Sequence, residues 1–317
     1  MQKISLYNKS IFPDYCDLHG LYHQNLRKLL IEMNYLEVWS PPISSSPCFE
    51  THVHPFEIYS CKEQKRNGLY LHTSPEFILK NYLSQNTLSP YKGIFNLNYV
   101  FRDDSVGPIH RRQFIMLEFY RTQAPIEKLI DDLSLLVQQS SNFLSKKYDV
   151  LEIPKVQHVA VNELFENILK FSILDFLETE DLYQKISKDF PHNAPTNILP
   201  WDDLYNLLWL NYIEPTLSEY NALLVKDFPS PIGLLAQTHP ADSRVRQRFE
   251  LFIKGYEIAN GYAEETSYQM NNESMDYHLR EKKNIYQYAL NKPDFFLNNL
   301  RKNGMKPSFG VAVGTER

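Results

Sequence analysis

Residues 101 to 120 read FRDDSVGPIHRRQFIMLEFY: an Arg at one end of a short loop, His-Arg-Arg at the other, then a carboxylate among bulky apolar residues. The segment leading into it, GIFNLNYVFR (93 to 102), is rich in aromatic and β-branched residues. The turn signal Gly107-Pro108 follows, and FIMLEFYRT (114 to 122) resumes a strand-like pattern. Together they predict a long hairpin. On its second strand, residues two apart face the same way, so Phe114, Met116, Glu118 and Tyr120 share a face. A half-buried carboxylate at Glu118 is costly unless paired, so it calls for a cation: Arg102 or Arg121 of the chain itself, or a bound ligand.

Upstream, Leu21, Leu26, Leu29, Leu30 and Met33 recur at helical spacing from Gly20 to Asn34, and YLEVWS then switches to β-type residues before Pro41. Downstream, Pro125 suits the first turn of a helix carrying Ile126, Leu129, Ile130, Leu133 and Val137 on one face. Residues 160 to 220 have a helical pattern, as an insertion within a domain would. RFELFIKGYEIANGY (248 to 262) reads as strand, MDYHLREKKNIYQYALN (275 to 291) as a polar helix, and FGVAVGTER ends the sequence. This order indicates an α+β fold with an antiparallel sheet flanked by helices, in one domain spanning 1 to 317.

The composition bounds the function. With 43% hydrophobic and 14% aromatic residues the chain can bury a real core, and its net charge of −5 provides no basic field for holding nucleic acid nonspecifically. Three scattered cysteines, Cys16, Cys48 and Cys61, suit a reducing compartment. No apolar run approaches the roughly 20 residues that span a bilayer, and the N-terminus lacks a signal-peptide core. These features point to a cytoplasmic protein with no membrane association.

Outside the hairpin, Glu250, Glu257 and Glu264 lie seven apart, a spacing that alternates faces on one uninterrupted strand. A turn at Asn260-Gly261 would restore their convergence and provide oxygen ligands for Mg²⁺, which prefers carboxylates plus phosphate oxygens. Otherwise they are solvated edge charges. Cys16, His19 and His23 are spaced for neighbouring ligands at a helix start, without a fourth ligand, and His52 and His54 read as one face of a strand. GxxxxGK[ST] is absent and no GxGxxG follows a strand, so a bound nucleotide would rely on arginines and metal.

Five blocks in order resemble the catalytic core of the class II aminoacyl-tRNA synthetases, lysyl branch. YLEVWSPPIS (35 to 44) is similar to the helix-strand-Pro motif of the dimer interface, LHTSPEFILK (71 to 80) to the lysyl-type amino-acid loop, and 101 to 120 to the second motif. FELFIKGYEIANGYAEE (249 to 265) resembles the lysyl signature strand, and FGVAVGTER (309 to 317) the start of the third motif. The blocks begin within the first 45 residues, leaving no room for the anticodon-binding barrel of lysyl-tRNA synthetases, which implies a freestanding core. Ser74 and Ala312 stand where the tRNA enzymes usually have Ala and Gly, a pairing typical of the elongation factor P lysine ligases, which attach β-lysine to a lysine of that factor.

The resemblance implies ATP and Mg²⁺ as cofactors and an adenylate route in which fixed cations meet the phosphates. Arg102 would bridge the substrate carboxylate and the α-phosphate. His110, with Arg111 or Arg112, would hold the outer phosphates, while Phe114 and Arg317 would sandwich the adenine. Asp104, Ile258 and Gly314 would complete the nucleotide site, and Glu250 and Glu257 would carry Mg²⁺. For lysine or β-lysine, Glu76 would take the amino group near the carboxylate. Glu118, Tyr120 and Glu264 would take the distal ammonium, Asn260 would touch the carboxylate, and Ser74 and Ala312 would accommodate the displaced amine of a β-amino acid. The partners implied are elongation factor P and a second copy of the chain as a homodimer. The rivals are a stand-alone enzyme charging tRNA, which the negative net charge and missing barrel argue against, a noncatalytic paralogue, and an enzyme for another amino acid.

Three features depart from the family pattern. Arg102-Asp103-Asp104 replaces Arg-x-Glu, Gln113 and Arg111 replace a Glu and an Asn, and the sequence stops at Arg317, so the apolar helix that continues the third motif is expected to be missing. An exposed apolar groove is the expected consequence.

Overall fold

The computed structural model describes residues 12–85, 90–105, 107, 110–146, 148, 152–233 and 235–316. The elements run α1 (Phe12–Glu32), β1 (Tyr35–Glu37), β2 (Ile43–Ser44), β3 (Glu57–Ser60), β4 (Lys65–Leu71), α2 (Glu76–Ser84), β5 (Gly93–Phe101), β6 (Gln113–Thr122), α3 (Ile126–Ser145) and β7 (Gln157–Ala160). They continue α4 (Val161–Leu169), α5 (Thr179–Asp189), α6 (Trp201–Leu208), β8 (Ala222–Pro229), β9 (Thr238–His239), β10 (Asp242–Ile253), β11 (Tyr256–Ala263), α7 (Tyr268–Tyr286), α8 (Asp294–Asn303) and β12 (Ser308–Gly314).

The hairpin is β5 and β6, antiparallel in unbroken register from Gly93 opposite Arg121 to Phe101 opposite Gln113. It seeds a large sheet ordered β1-β5-β6-β12-β11-β10-β8-β7, with β9 on β10; a small sheet, β2-β4-β3, lies apart. Pairing is antiparallel throughout the large sheet except at its outer pairs, β1 with β5 and β7 with β8, which are parallel. The α+β expectation therefore holds.

Alternation on β6 sorts its side chains. Leu117 and Phe119 are fully buried in the main core, where the sheet packs against α1 and α3. Tyr35 crosses Phe119 edge-to-face at 5.7 Å and donates its hydroxyl to Asp132 at 2.7 Å, and Arg121 pairs with the same Asp132. Met116, Glu118 and Tyr120 point to the other face, where α2, α7 and α8 supply a second core around Phe77, Met275 and Phe296. The helices between residues 161 and 217 close a third core against β8, built on a stacked series of Phe165, Trp201, Tyr205 and Trp209.

Several expected boundaries shift. The first helix begins at Phe12 rather than Gly20 and ends where Asn34 adopts φ 66°, a conformation Asn tolerates. The polar helix runs Tyr268–Tyr286, started by Ser267, whose hydroxyl accepts the Met270 amide, and stopped by Gln287 in the left-handed region. His52 and His54 lie in a turn and coil, not on a strand; each engages a tyrosine, His52 Nδ1 with the Tyr286 hydroxyl at 2.8 Å and His54 Nδ1 with that of Tyr288 at 2.7 Å.

Candidate active site

Three adjacent strands furnish the floor of a pocket of about 210 Å³. Register places Glu118 on β6 opposite Ala312 on β12, Ala312 opposite Asn260 on β11, and Asn260 opposite Glu250 on β10. The next row is Tyr120, Gly310 and Tyr262. Gly310 has a steric reason: a Cβ there would occupy the space of Glu264 Oε1 and the Tyr120 ring. Six residues of β6 separate Tyr120 from Phe114, so at about 3.4 Å per residue the floor extends roughly 20 Å from an acidic end to an aromatic one.

Glu257 reaches this floor by a β-bulge. Leu251 faces Ala259 but Phe252 faces Glu257, so Ile258 is the extra residue, and parity flips across it. Ile258 packs against the main core, whereas Glu257, Asn260, Tyr262 and Glu264 all line the pocket. The turn expected at Asn260-Gly261 is absent: both sit inside β11, and the chain reverses at Lys254-Gly255, where φ is 52° and 81°.

The acidic end is organised around Lys80, which composition and motif reading had passed over. Lys80 is 2% exposed, and its ammonium lies 2.5 Å from Glu76 Oε1 and 2.5 Å from Glu264 Oε2. Burial opposes its charge, but Glu264 and Glu76 outweigh burial, and its pKa stands above the ordinary lysine value. Tyr262 adds a hydroxyl 3.2 Å from Glu76 Oε1. Its place in PEFILK, four residues after Glu76 at a helix start, was the available signal.

Glu118 takes no arginine. The Tyr120 hydroxyl donates to its Oε1 at 2.5 Å and Ser74 Oγ to its Oε2 at 2.7 Å, while Arg121 is committed to Asp132 on the opposite face. Ser74 Oγ also accepts the Glu76 amide at 3.0 Å, satisfying a free donor at the start of α2. Burial, then Glu76, pushes Glu118 up to about 7 against the pull of the two hydroxyls, and burial pushes Glu264 up to about 8 despite Lys80. Such shifts mark an excess of buried carboxylate over cation.

At the other end Arg102 lies over the Phe114 ring at 5.5 Å, and its Nε donates to Thr73 O at 3.4 Å. Gly314, Glu257 and Ile258 complete this part of the lining. Glu250 is held by Arg248 at 2.5 Å, and Arg248 also donates to Asn260 Oδ1 at 3.2 Å. Burial is the main reason Glu250 rises to about 7; Arg248 opposes it and Glu257 adds to it. Two mutually repelling carboxylates suit a divalent cation held chiefly by phosphate oxygens. Among the described residues no cluster of three or more His, Cys, Asp or Glu forms a closed metal cage.

The pocket thus gathers Ser74, Glu76, Arg102, Phe114, Glu118 and Tyr120, together with Glu257, Ile258, Asn260, Glu264, Ala312 and Gly314. It does not gather Asp104, His110, Arg111 or Glu250, the last being held by Arg248. His110 is exposed with its carbonyl accepting the Gly107 amide at 3.1 Å, the Asp104 carbonyl accepts from Arg112 Nε at 3.2 Å, and Arg111 pairs with Glu316 at 3.2 Å. Arg317 lies outside the described residues. Glu50, Met116 and Tyr262 line the pocket unanticipated; Tyr262 was readable from its alternation with Asn260 and Glu264, whereas Glu50 lies in coil and carried no signal. On the far side of the sheet a second cavity, about 450 Å³, lies between α1, α3 and β12 and is lined by Leu136, Leu144 and Tyr256 among others.

The family model described as tRNA synthetases class II (D, K and N) matches residues 17–317. The chain belongs to the class II tRNA synthetases. Curated relatives of this class II chain include the elongation factor P--(R)-beta-lysine ligase of Buchnera aphidicola from Schizaphis graminum, 30% identical over 303 residues, covering 92% of this chain and 86% of the relative. The proteins of the same name from Erwinia tasmaniensis and Vibrio cholerae are each 29% identical over 298 residues, covering 92% and 93% of this chain and 86% of the relative. The expected fold class and enzyme class, a ligase on a class II core, stand on these matches. Among the described residues no helix is long and apolar enough to cross a membrane.

Proposed function

We propose that this class II core activates lysine or (R)-β-lysine with ATP as an aminoacyl-adenylate and transfers it to a lysine side chain of elongation factor P. The observation that carries this reading is the acidic end of the pocket, where Glu76 and Glu264 share a single lysine, Glu118 is held by two hydroxyls, and Glu118 and Glu264 are raised toward neutral pH. A ligand bringing ammonium groups satisfies them, and each charge-assisted bond is worth roughly 1.5 to 3 kcal/mol. A neutral amino acid leaves them uncompensated.

In the first step the substrate carboxylate attacks the α-phosphorus and displaces pyrophosphate. Arg102 neutralises the two anions brought together there, and Phe114 offers a ring for the adenine. Glu250 and Glu257 would hold Mg²⁺, which on binding neutralises phosphate charge. In the second step a neutral lysine amine of the acceptor attacks the acyl carbon, AMP departs, and the amine's proton is lost. The chemistry needs positioning and electrostatics, and no general base is assigned. His110, with Arg111 or Arg112, follows β5 on the way to β6 and would meet the outer phosphates. Ser74 and Ala312, beside Glu118, would set the room for a displaced amine.

The relatives' names support elongation factor P as acceptor, ahead of tRNA. The exposure of Trp39, 80%, and of Ile43 in the block at 35 to 44 supports a homodimer in which a second copy would cover them. The chain would act in the cytoplasm. The test is transfer of radiolabelled β-lysine to purified elongation factor P beside tRNA; labelling of tRNA alone would overturn the proposed acceptor.

A further inference from the structure

Glu50 is the pocket carboxylate for which the family resemblance offered no role. It lies in the coil between β2 and β3, and three contacts hold that coil in place. Phe49 is fully buried against Phe77 and His278, with ring centroids 5.6 Å from each. The Pro47 carbonyl accepts the Thr73 hydroxyl at 3.1 Å. Cys48 is buried and reaches the Val53 carbonyl at 3.4 Å. The coil that carries Glu50 is therefore anchored through Pro47 to Thr73, the residue whose carbonyl receives Arg102, and Glu50 and Arg102 line the same pocket.

The other carboxylates of this wall are already engaged. Lys80 and the Tyr262 hydroxyl serve Glu76, Lys80 serves Glu264, and Tyr120 and Ser74 serve Glu118. Glu50 accepts the Phe49 amide at 3.1 Å, and among the described residues it enters no ion pair. Glu50, Glu76 and Arg102 line the same pocket, and burial, then Glu76, raises the Glu50 pKa while Arg102 opposes them.

We propose that Glu50, rather than Glu76 alone, receives the ammonium nearest the substrate carboxylate and so selects for an amino acid over an amine-free acid. This rests on the proposed function, in which Arg102 holds the substrate carboxylate. An amine one or two carbons from a carboxylate at Arg102 lies in the pocket that Glu50 and Arg102 both line. Glu76 shares that ammonium while its Oε1 is engaged by Lys80 and the Tyr262 hydroxyl.

The test is calorimetric binding of lysine, (R)-β-lysine and aminocaproate, which keeps the carboxylate and the distal ammonium but lacks the near one. Glu50→Gln is expected to weaken lysine and β-lysine about tenfold or more, roughly 1.4 kcal/mol, and aminocaproate less than about twofold. Glu50→Asp, which keeps the charge, is expected to retain at least half of the wild-type discrimination in log units and covers the case in which the Gln variant does not fold. Equal loss for all three ligands, no loss for any, or an Asp variant with no discrimination would overturn the proposal while leaving the functional reading intact. A wild-type chain that binds none of the three overturns both.

Discussion

Replacing Lys80 by Met tests the charge balance of the pocket most severely. The side chain is similar in length and can fill the same space, so packing changes little, while one ammonium is withdrawn from two carboxylates, each 2.5 Å away. Breaking a buried pair by removing one partner costs about 3 to 5 kcal/mol, because the remaining charge is left uncompensated. At about 2.1 cal/mol/K per residue, each kcal/mol moves the melting temperature of a chain of 317 residues by about 1.5 °C, so a loss of roughly 4 to 8 °C is expected near pH 8. The sign with pH follows from Glu264, whose pKa is raised to about 8: near pH 5 it is protonated with or without Lys80, and only Glu76 loses its partner. The destabilisation should therefore shrink by about half or more near pH 5. Differential scanning calorimetry of wild type and variant at both pH values measures it. A shift below about 2 °C, or one equal at the two pH values, would refute the charge argument.

The same balance has other consequences. Glu118 and Glu264 carry folded-state pKa values of about 7 and 8, above the unfolded carboxylate value near 4.3, so their contribution to stability is complete below about pH 4 and is lost as pH rises toward 8. A bound ammonium holds them ionised, so lysine binding near pH 6.5 should release protons, seen as a calorimetric enthalpy that changes with the buffer's ionisation enthalpy; no buffer dependence would contradict this. Gly310→Ala should abolish lysine binding and lower stability by about 1 to 3 kcal/mol, since the added methyl displaces Glu264 or Tyr120; a variant with wild-type affinity in a titration would show the pocket to be looser than described. Glu118→Gln should weaken lysine by about tenfold or more while leaving ATP binding within about twofold, read by titration of each ligand separately.

The hairpin from Gly93 to Thr122 was legible because its signals are local: β-rich runs, a Gly-Pro turn and alternation that put Glu118 and Tyr120 on one face. So was the helical stretch after Ala160, where apolar spacing speaks for itself. The insertion of β12 between β6 and β11 depends on pairing between segments far apart in sequence, and no local pattern encodes it. The convergence of Glu257 with Asn260 and Glu264 was sought in the wrong device, a turn, because a bulge at Ile258 is defined only against its partner strand. Lys80 was visible as a helical neighbour of Glu76, yet its burial depends on Glu264 arriving from the other end of the chain. Glu50 comes to the pocket on a coil fixed by Phe49 and Thr73, contacts with no sequence period.

Activation of a diamino acid with ATP in this pocket is tested by pyrophosphate exchange into ATP with lysine, (R)-β-lysine and ornithine, with Arg102→Ala as control. Exchange that depends on lysine or β-lysine, is absent with neutral amino acids and is lost in the control is the predicted result. ATP binding without exchange for any of the three would contradict the claim and leave a binding protein on a synthetase core.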